Sequence, residues 1–455
     1  MENKATIYFY GGAGTVTGSN FLLEIGSEKI LIDCGLTQGQ HTAEAVNWEK
    51  FPYDPASIKM LIVTHAHIDH IGRIPKLVHD GFRGKIISTQ ATQALAEPML
   101  LDSMELLAHD AQKHGKEGLY NEDDIQNAMK LWEGTVYGKK IDIGDGLSFT
   151  FFNSGHILGS AMVRFERNGK SLVFTGDIGG GNSPLLAPAS VLSDANYLVM
   201  ESVYGDRVRN KDEDSREKLE DIIENTVTRR GTLLIPAFST ERTQDLLFEI
   251  RTLMMQKRVP SVPVFVDSPL ATKITQAYVK YPQYFGDEIR KRAEGGESLF
   301  AFPELHFVDD AQESRTIMGK AGSKIVIAGS GMSNGGRVHG HEQTLLPDSK
   351  STLLIVGYQA AGSLGRRLIE GDKHVRIGGK EVRVACKVET LYGYSAHMDS
   401  EQLLEFVNTS VPTLKQVFVV MGEPASSAFL AQRIRDYLGV KATTPEAAEK
   451  AEIDF

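Results

Sequence analysis

The amino-acid sequence predicts an α/β protein in which a strand-rich domain is interrupted by a second, doubly wound α/β domain. The first third of the chain consists of short apolar runs closed by Gly, Asp or His, which is typical of strands joined by tight turns. After about Gly205, helical and strand patterns alternate, which indicates a parallel sheet. From about Leu368 the sequence returns to the earlier pattern of short, hairpin-like strands. We therefore expect the first domain to continue after the insert.

The strands of the first third follow one another closely. Four of them are "ATIYFYGGAG", "NFLLEIG", "KILIDCG" and "KMLIVTH". A helix is predicted after "GKIIST", because Leu95, Met99 and Leu106 roughly follow helical spacing. Strands then return, and "RNGK" predicts a hairpin turn because Asn-Gly tolerates positive φ at both central positions.

The insert alternates helices such as "SREKLEDIIENTVTRRG" with strands such as "TLLIPAF". After it come the hairpin-like "HVRIGGKEVRVACKVETL", a helix, the strand "QVFVVMG" and a final helix. The acidic, Ala-rich tail after Val440 is expected to be loosely ordered. The predicted boundaries are 1–205 for the first part of the strand-rich domain, 206–367 for the insert and 368–455 for the C-terminal part.

The composition is that of a soluble protein. The chain has 455 residues, of which 41% are hydrophobic and 24% charged, with a formal net charge of −10. This acidic balance argues against nucleic acid as a partner unless the chain forms a local basic groove. The only cysteines are Cys34 and Cys386, which favours a reducing compartment. With no signal-peptide pattern and no apolar run near ~18 residues, we expect a cytoplasmic protein and no membrane.

The most informative stretch is "IVTHAHIDHIG", residues 62–72, in which three histidines and an aspartate close an apolar strand. Imidazole and carboxylate are the usual ligands of zinc-like metals. His65 and His67 are two residues apart, so on a strand end they point the same way. Asp69 and His70 follow in the turn, where the chain can aim them at a second point. The stretch therefore predicts ligands for two adjacent metals.

Such a cluster needs ligands from elsewhere in the chain. "NSGHILGSA" offers His156 after a strand, and "VFTGDIGG" offers Asp177 at another strand end. Each would be an ordinary loop residue on its own. Together with "HAHIDH", in this order, they favour a metal site.

His-x-His-x-Asp-His, the His of "SGHILGS" and the Asp of "TGD" resemble the ligand motifs of the metallo-β-lactamase fold. "MESVYGDR", "PAFSTERTQDLL", "VDSPLA", "GSGMSNGGRV", "GYQAAGSLGRRL" and "YSAHMD" resemble, in that order, the β-CASP branch of that fold, which includes relatives of the cleavage subunit of pre-mRNA 3′-end processing. The resemblance covers residues 5–440. It implies an αββα metallo-β-lactamase sandwich with an inserted β-CASP domain.

The resemblance also implies the roles of individual residues and a ribonuclease with two zinc ions and a metal-bridging hydroxide. The first zinc would be held by His65, His67 and His156, and the second by Asp69 and His70, with Asp177 bridging. Asp33 in "LIDCG" would support the ligands from beneath. Glu201 and His397 match the acidic motif and the histidine motif, so that His397 would act as general acid. Asp69 is counted as catalytic with them.

One position departs from the family pattern. RNA-cleaving members place a further metal-binding histidine in a "V-H-G-E" strand end, where this chain has Met421 in "FVVMGEP". A thioether is a poor substitute for imidazole on zinc. We expect Met421 to be an apolar strand residue and the second zinc site to be weaker. The DNA-processing branch also carries an apolar residue there, so DNA is an alternative substrate.

A local basic and Gly-rich path is expected to bind the substrate in the cleft between the two domains. Its candidates are motif residues of the insert, namely Arg242, Ser330, Arg337, His341 and Arg366. Few aromatics occur in these motifs, which favours contacts to the nucleic-acid backbone. The expected partner is single-stranded RNA, and a homodimer is left open.

The sequence is compatible with three functions. The first is a zinc-dependent ribonuclease, and the second is a DNA nuclease of the same fold. The third is a non-catalytic scaffold, which the intact ligand set argues against. A small-ester hydrolase is disfavoured because the insert would then lack a purpose.

Overall fold

The computed structural model describes residues 4–39, 44–113, 117–208, 215–357, 359 and 362–455. The chain forms two compact units. The first comprises Met1–Gly181, Ala187–Val208 and Ala396–Phe455, and the second comprises Asn182–Leu186 and Arg209–Ser395. The chain therefore contributes a short segment to the second unit at 182–186, builds the rest of that unit after Val208 and then returns to complete the first.

The first part of the first unit begins with strands and carries its helices in the middle. Its strands are β1 (Lys4–Gly11), β2 (Asn20–Ile25), β3 (Glu28–Ile32), β4 (Met60–Ile62), β5 (Lys85–Thr89), β6 (Trp132–Thr135), β7 (Ile141–Gly144), β8 (Leu147–Asn153), β9 (Ala161–Arg167), β10 (Lys170–Phe174) and β11 (Tyr197–Glu201). Its helices are α1 (Ile68–Ile71), α2 (Ile74–His79), α3 (Gln90–Lys113) and α4 (Glu122–Lys130), with short 3-10 turns at Ala45–Trp48 and Pro55–Ser57.

The second unit alternates helices and strands. Its helices are α5 (Ser215–Thr228), α6 (Arg242–Met255), α7 (Pro269–Lys280), α8 (Asp287–Glu294), α9 (Ala311–Ile317), α10 (Val338–Leu345) and α11 (Leu364–Ile369), with a 3-10 turn at Pro282–Tyr284. Its strands are β12 (Thr232–Pro236), β13 (Val264–Asp267), β14 (Leu305–Phe307), β15 (Lys324–Ala328), β16 (Thr352–Val356), β17 (His374–Ile377), β18 (Lys380–Arg383) and β19 (Lys387–Leu391).

The chain then completes the first unit. This last part contains α12 (Ser400–Asn408), β20 (Gln416–Val420), α13 (Pro424–Leu438), β21 (Lys441–Thr443) and β22 (Lys450–Asp454). None of the described helices is long and apolar enough to cross a membrane.

The first unit is built on two sheets, ordered β22-β1-β2-β3-β4-β5-β6 and β21-β20-β11-β10-β9-β8-β7. Side chains of both sheets form one buried core between them, with Phe9 from the first sheet and Phe174 from the second. Successive strand residues face opposite ways, so Val173, next to Phe174, lies in a separate core against α12 and α13. On the other side, α3 packs against β5 and β6. The predicted αββα sandwich is confirmed.

The hairpin turn predicted at "RNGK" is also confirmed. β9 and β10 are antiparallel with Arg167 opposite Lys170, so the turn consists of Asn168 and Gly169. Both residues have positive φ, 52° and 73°. The expectation for the tail after Val440 was wrong: β22 pairs with β1, with Ile453 opposite Ala5. The edge of the first sheet supplies the hydrogen bonds that order it.

The second unit contains a parallel sheet in the order β14-β13-β15-β12-β16-β19. Each neighbouring pair is parallel, which confirms the predicted doubly wound insert. This unit extends to Ser395, beyond the boundary that the sequence placed at 367. The reason is that β19 adds to this sheet beside β16, with Leu391 next to Val356. The hairpin of β17 and β18 precedes it.

Candidate metal centre

The polar residues singled out in the sequence lie at the carboxyl ends of strands in the first unit. Asp33 directly follows β3, and the segment 63–70 directly follows β4. These strands are parallel neighbours, so their ends lie side by side. In the second sheet, His156 follows β8 and Asp177 follows β10. Strand register therefore brings sequence-distant residues to one region.

The chain changes direction inside the histidine cluster. His65 lies in the segment between β4 and α1, and His67 is the N-terminal flanking residue of α1 with extended φ and ψ. Asp69 and His70 lie in the turn of helix that follows. The pair His65 and His67 therefore precedes the change of backbone direction, and the pair Asp69 and His70 follows it.

Three imidazole nitrogens and one carboxylate oxygen converge. His65 Nε2 and His156 Nε2 each lie 3.1 Å from His67 Nδ1. Asp177 Oδ2 lies 3.6 Å from His65 Nε2 and 3.4 Å from His156 Nε2. Zinc with bonds of about 2.0–2.1 Å in a tetrahedral site separates its ligand atoms by about 3.4 Å. The four residues therefore fit one tetrahedral zinc ion.

A second set of donors lies next to the first. His70 Nε2 lies 3.4 Å from Asp177 Oδ1 and 3.8 Å from Asp69 Oδ2. His70 Nε2 and Asp177 Oδ1 are fully buried, and among the described residues neither has a hydrogen-bond partner. Buried polar atoms are rarely left without a partner. This pair therefore fits a second cation, with Asp177 offering one oxygen to each site.

Asp33 lies beneath these ligands and is buried. The Thr64 backbone N–H donates to Asp33 Oδ1 at 2.8 Å, and Ser19 Oγ donates to Oδ2 at 3.1 Å. His70 Nδ1 lies 2.7 Å from Asp33 Oδ2. Because a carboxylate only accepts, Nδ1 carries a proton, which leaves Nε2 as the ring nitrogen of His70 that can bind a metal once its own proton is lost.

Burial sets the protonation of the three clustered imidazoles. It lowers the pKa of His67 to about 4 and holds those of His65 and His156 well below their ordinary value. A neutral imidazole is the form that binds a metal. These side chains are therefore ready to bind a cation near neutral pH.

The pKa values of the other titratable groups in the cluster are set by burial and by the charges of their neighbours. Burial opposes the charged form of His70, yet the carboxylates of Asp177, Asp33 and Asp69 raise its pKa well above its ordinary value. Burial favours the protonated form of Asp177, but His70 and the other imidazoles hold its pKa well below its usual range. Burial raises the pKa of Asp69 to about 6. The carboxylates that favour a proton on His70 would equally favour a bound cation in place of that proton.

Glu201 and His397 form a pair beside the cluster. Glu201 Oε1 lies 3.0 Å from His397 Nδ1 and accepts from the Ile178 N–H at 2.8 Å. Glu201 is fully buried, whereas 21% of the His397 side chain is exposed. The His397 ring lies 4.7 Å from the His156 ring. A fixed carboxylate thus orients an imidazole that solvent can reach.

Three family models match this chain. Residues 22–204 match the metallo-beta-lactamase superfamily domain, 243–368 match the Beta-Casp domain, and 381–445 match the Zn-dependent metallo-hydrolase RNA specificity domain. Ribonuclease TTHA0252 of Thermus thermophilus is 35% identical over 398 residues, which is 88% of this chain and 89% of that protein. The chain belongs to the β-CASP family of metallo-β-lactamase-fold enzymes.

Other similar proteins come from archaea. The transcription termination factor FttA of Methanosarcina mazei is 30% identical over 95% of this chain and 69% of that protein. FttA of Methanocaldococcus jannaschii is 30% identical over 94% and 68%. A crystal structure of a protein of unknown function from Enterococcus faecalis V583 superposes with a TM-score of 0.58 over 99% of this chain and all of that one, at 13% identity. This last likeness shows the fold alone.

Met421, the position at which the resemblance led us to expect a metal-binding histidine, packs in the apolar core of the first unit with Phe21 and Phe174. It directly follows β20, and 2% of it is exposed. Its φ is 47°, and its N–H donates to the Gly12 carbonyl at 2.6 Å. A Cβ on Gly12 would lie 2.4 Å from Met421 Sδ. The missing side chain of this glycine thus makes room for the thioether.

The substrate-binding candidates lie in the second unit, and the structure brings two of them together. Arg337 Nη1 lies 2.7 Å from Asp267 Oδ1, and His341 Nε2 lies 2.6 Å from Asp267 Oδ2. Arg366 is exposed and pairs with Glu370 at 2.7 Å. Arg337 and His341, both predicted to contact the substrate, thus share one buried carboxylate in the structure.

The remaining two candidates differ in their surroundings. Arg242 begins α6 and is buried, with Nη2 3.3 Å from Glu241 Oε2. Its Nε and Nη1 have no hydrogen-bond partner among the described residues. Ser330 is partly exposed in the loop after β15.

Sequence reasoning missed three residues that hold these sites. Thr64 anchors Asp33, Tyr204 lies 5.6 Å from the His397 ring, and Asp267 anchors Arg337 and His341. Each lies inside a quoted motif, directly at or after a strand end. That position was the available signal, since polar residues at strand ends are placed to contact neighbouring loops.

Proposed function

We propose that this protein is a zinc-dependent ribonuclease that hydrolyses phosphodiester bonds of single-stranded RNA. The observation that carries the proposal is the convergence of His65, His67, His156 and Asp177 beside the Glu201–His397 pair. The relative from Thermus thermophilus is a ribonuclease, which supports RNA as substrate. The match of 381–445 to an RNA specificity domain supports it further.

In this proposal the convergent donors hold two zinc ions. The first would be held by three histidines and Asp177, and the second by Asp69, His70 and the other oxygen of Asp177. Zinc at these positions would supply Lewis-acid activation of water and neutralise charge on the phosphate. Asp33 keeps His70 in the tautomer that the second ion requires.

The proton for the leaving oxygen would come from His397. Its Nδ1 is held by Glu201, so the other ring nitrogen is the one able to exchange a proton with the substrate. Glu201 in turn is fixed by backbone N–H groups of Ile178 and Val203. A general acid held in this way contributes about 10²–10⁴-fold to the rate.

Contacts to the RNA backbone are proposed for the second unit. Arg366 is exposed, and Ser330 is partly exposed, so both can be reached by a phosphate. Arg337 and His341 would act by holding Asp267 and the loop around it. Arg242 would offer its buried guanidinium nitrogens to an anion.

The test is hydrolysis of end-labelled single-stranded RNA and DNA by zinc-loaded protein, with and without a chelator. The variant His67→Ala/Asp69→Ala removes one ligand from each proposed site. We expect the wild type to cleave RNA, and both the chelator and the variant to abolish cleavage. His374→Ala, an exposed histidine on β17, is the matched control and should remain active.

The outcomes separate the candidate functions. Cleavage of DNA alone would support the DNA nuclease that Met421 suggests and would contradict the proposal. Cleavage of neither polymer by a zinc-loaded wild type would favour a non-catalytic nucleic-acid-binding protein.

A further inference from the structure

In the parallel sheet of the second unit, the connections that follow the neighbouring strands β12 and β15 run in opposite directions across the sheet. The connection after β12 leads to β13 on one side, and the connection after β15 leads to β16 on the other. β12 and β15 are parallel neighbours, with Pro236 beside Ala328 at their carboxyl ends. Right-handed crossovers in opposite directions place the helices on opposite faces and open a crevice between the loops. Ligands of open parallel sheets bind in such crevices.

Phe238 lies beside this point, two residues after the end of β12. It is 47% exposed, although it is a large apolar residue. A Cβ on Gly331 would lie 2.8 Å from Phe238 Cδ2 and 3.0 Å from its Cε2. The glycine therefore lets the ring rest against the main chain of the loop after β15. The rest of the ring faces solvent.

The backbone that carries this ring is held in place by α6. Thr243 Oγ1 donates to the Phe238 carbonyl at 2.8 Å, and Gln244 Nε2 donates to the Ser239 carbonyl at 3.1 Å. A single exposed phenylalanine is common on protein surfaces and needs no function. This one is distinguished because its loop is fixed and because it lies where the connections of the sheet run to opposite sides.

Hydroxyl groups lie next to the ring. Ser239 Oγ lies 3.1 Å from Ser268 Oγ, which follows β13. A Cβ on Gly329 would lie 3.9 Å from each of these oxygens, so the main chain after β15 also comes close. Hydroxyls and main-chain groups are common partners of phosphate and ribose oxygens.

We propose that Phe238 is a stacking platform for one nucleobase of single-stranded RNA, with Ser239 and Ser268 contacting the adjoining phosphate or ribose. Stacking on an aromatic ring tolerates any base, because every base has a π-face. The subsite would thus add affinity without sequence choice. This inference rests on the proposed ribonuclease function and names a binding subsite for it.

The test compares steady-state hydrolysis of a single-stranded RNA by the zinc-loaded wild type and by Phe238 variants. Phe238→Leu keeps an apolar side chain and removes the π-face, and we expect its KM to rise roughly 5- to 100-fold with kcat within about twofold. Phe238→Trp keeps a π-face and should retain the wild-type KM. Phe429→Leu is the matched control, since Phe429 in the first unit is 46% exposed, and it should leave KM unchanged.

A second readout does not depend on kinetics. RNA containing 5-iodouridine, irradiated on the chelated protein, should form a crosslink at Phe238 that mass spectrometry locates. If the wild type hydrolyses RNA but Phe238→Leu has the same KM and no crosslink forms there, the subsite is wrong and the proposed function stands. An equal rise in KM for Phe429→Leu would also overturn it. If the wild type does not hydrolyse RNA, the proposed function fails, and this inference falls with it.

Discussion

His70 Nδ1 lies 2.7 Å from Asp33 Oδ2, and both side chains are almost completely buried. Asp33 has a φ of 57° directly after β3, a conformation that Asp and Asn tolerate better than most residues. The carboxylate thereby reaches the histidine from beneath and leaves its Nε2 facing Asp177. One short contact links the end of one strand to the proposed second metal site.

The first prediction concerns this contact. Asp33→Asn keeps the shape and tolerates the positive φ, but an amide no longer selects the tautomer of His70 or increases its basicity. We expect zinc affinity at the second site to fall about 10- to 100-fold. Competition with a fluorescent zinc chelator measures the change. Asp142→Asn, at an exposed aspartate of the first unit, should behave as the wild type. Equal affinities for both variants would contradict the role assigned to Asp33.

The second prediction concerns Met421. Because the thioether packs in the apolar core, the proposed second site lacks the imidazole present in relatives that carry the histidine. We expect Met421→His to raise the zinc retained per chain after gel filtration and to slow its loss to a chelator. Histidine is among the residues that tolerate the positive φ found here. Met421→Leu preserves the apolar contact and should not change zinc content. Two tightly held zinc ions in the wild type would show that the missing histidine does not matter.

The third prediction separates proton transfer from metal binding. His397→Gln removes the group proposed to protonate the leaving oxygen, so kcat for RNA hydrolysis should fall about 10²–10⁴-fold. Zinc content, measured by elemental analysis, should stay at the wild-type value, since the other donors remain. A parallel loss of zinc would mean that His397 is a ligand, which its proximity to Asp177 and Glu201 also allows.

The fourth prediction concerns stability and pH in the second unit. Burial raises the pKa of Glu342 on α10 to about 8, although Ser333 opposes the shift. The folded protein therefore keeps this proton while the unfolded chain loses it near its ordinary pKa of about 4.5. Stability falls as pH rises between these two values, because the folded state binds more protons there.

Glu342→Gln is uncharged at every pH and removes this loss. Relative to the wild type, its stability should increase progressively from about pH 5 to about pH 8 and then level off, by at most a few kcal/mol. Tm recorded across pH 5–9 measures the difference. Glu381→Gln on β18 changes an exposed carboxyl and serves as control. A difference between Glu342→Gln and wild type that does not vary with pH would refute this account.

Much of the fold follows from local patterns. The Asn-Gly turn at 168–169 and the long helix α3 were predictable because turn chemistry and helical spacing act over a few residues. The extent of the second unit was not predictable, since the sequence of β19 alone resembles a strand of the preceding hairpin. Its place beside β16 depends on parallel pairing with residues more than 30 positions away. The ordered tail at β22 likewise depends on the free edge of β1.

In the candidate site, too, some residues were predictable from a local pattern and others were not. His65, His67, Asp69 and His70 could be found in the sequence because six residues at one strand end hold the whole pattern. His156, Asp177 and His397 became candidates only through motif order. The ends of β8 and β10 place His156 and Asp177 beside the cluster after β4, and a bridge between Gly179 and His397 places His397 there too.

By itself, the sequence determined the class of chemistry, since the residue types and their order predict a metal site of imidazole and carboxylate ligands. Tertiary structure alone decided which atoms face one another: that Asp33 holds His70, that Met421 packs beside Gly12, and that Arg337 and His341 lie on Asp267. The physical reason is that burial and strand register set protonation and partners. Both arise from contacts between residues far apart in the chain, which local patterns do not encode.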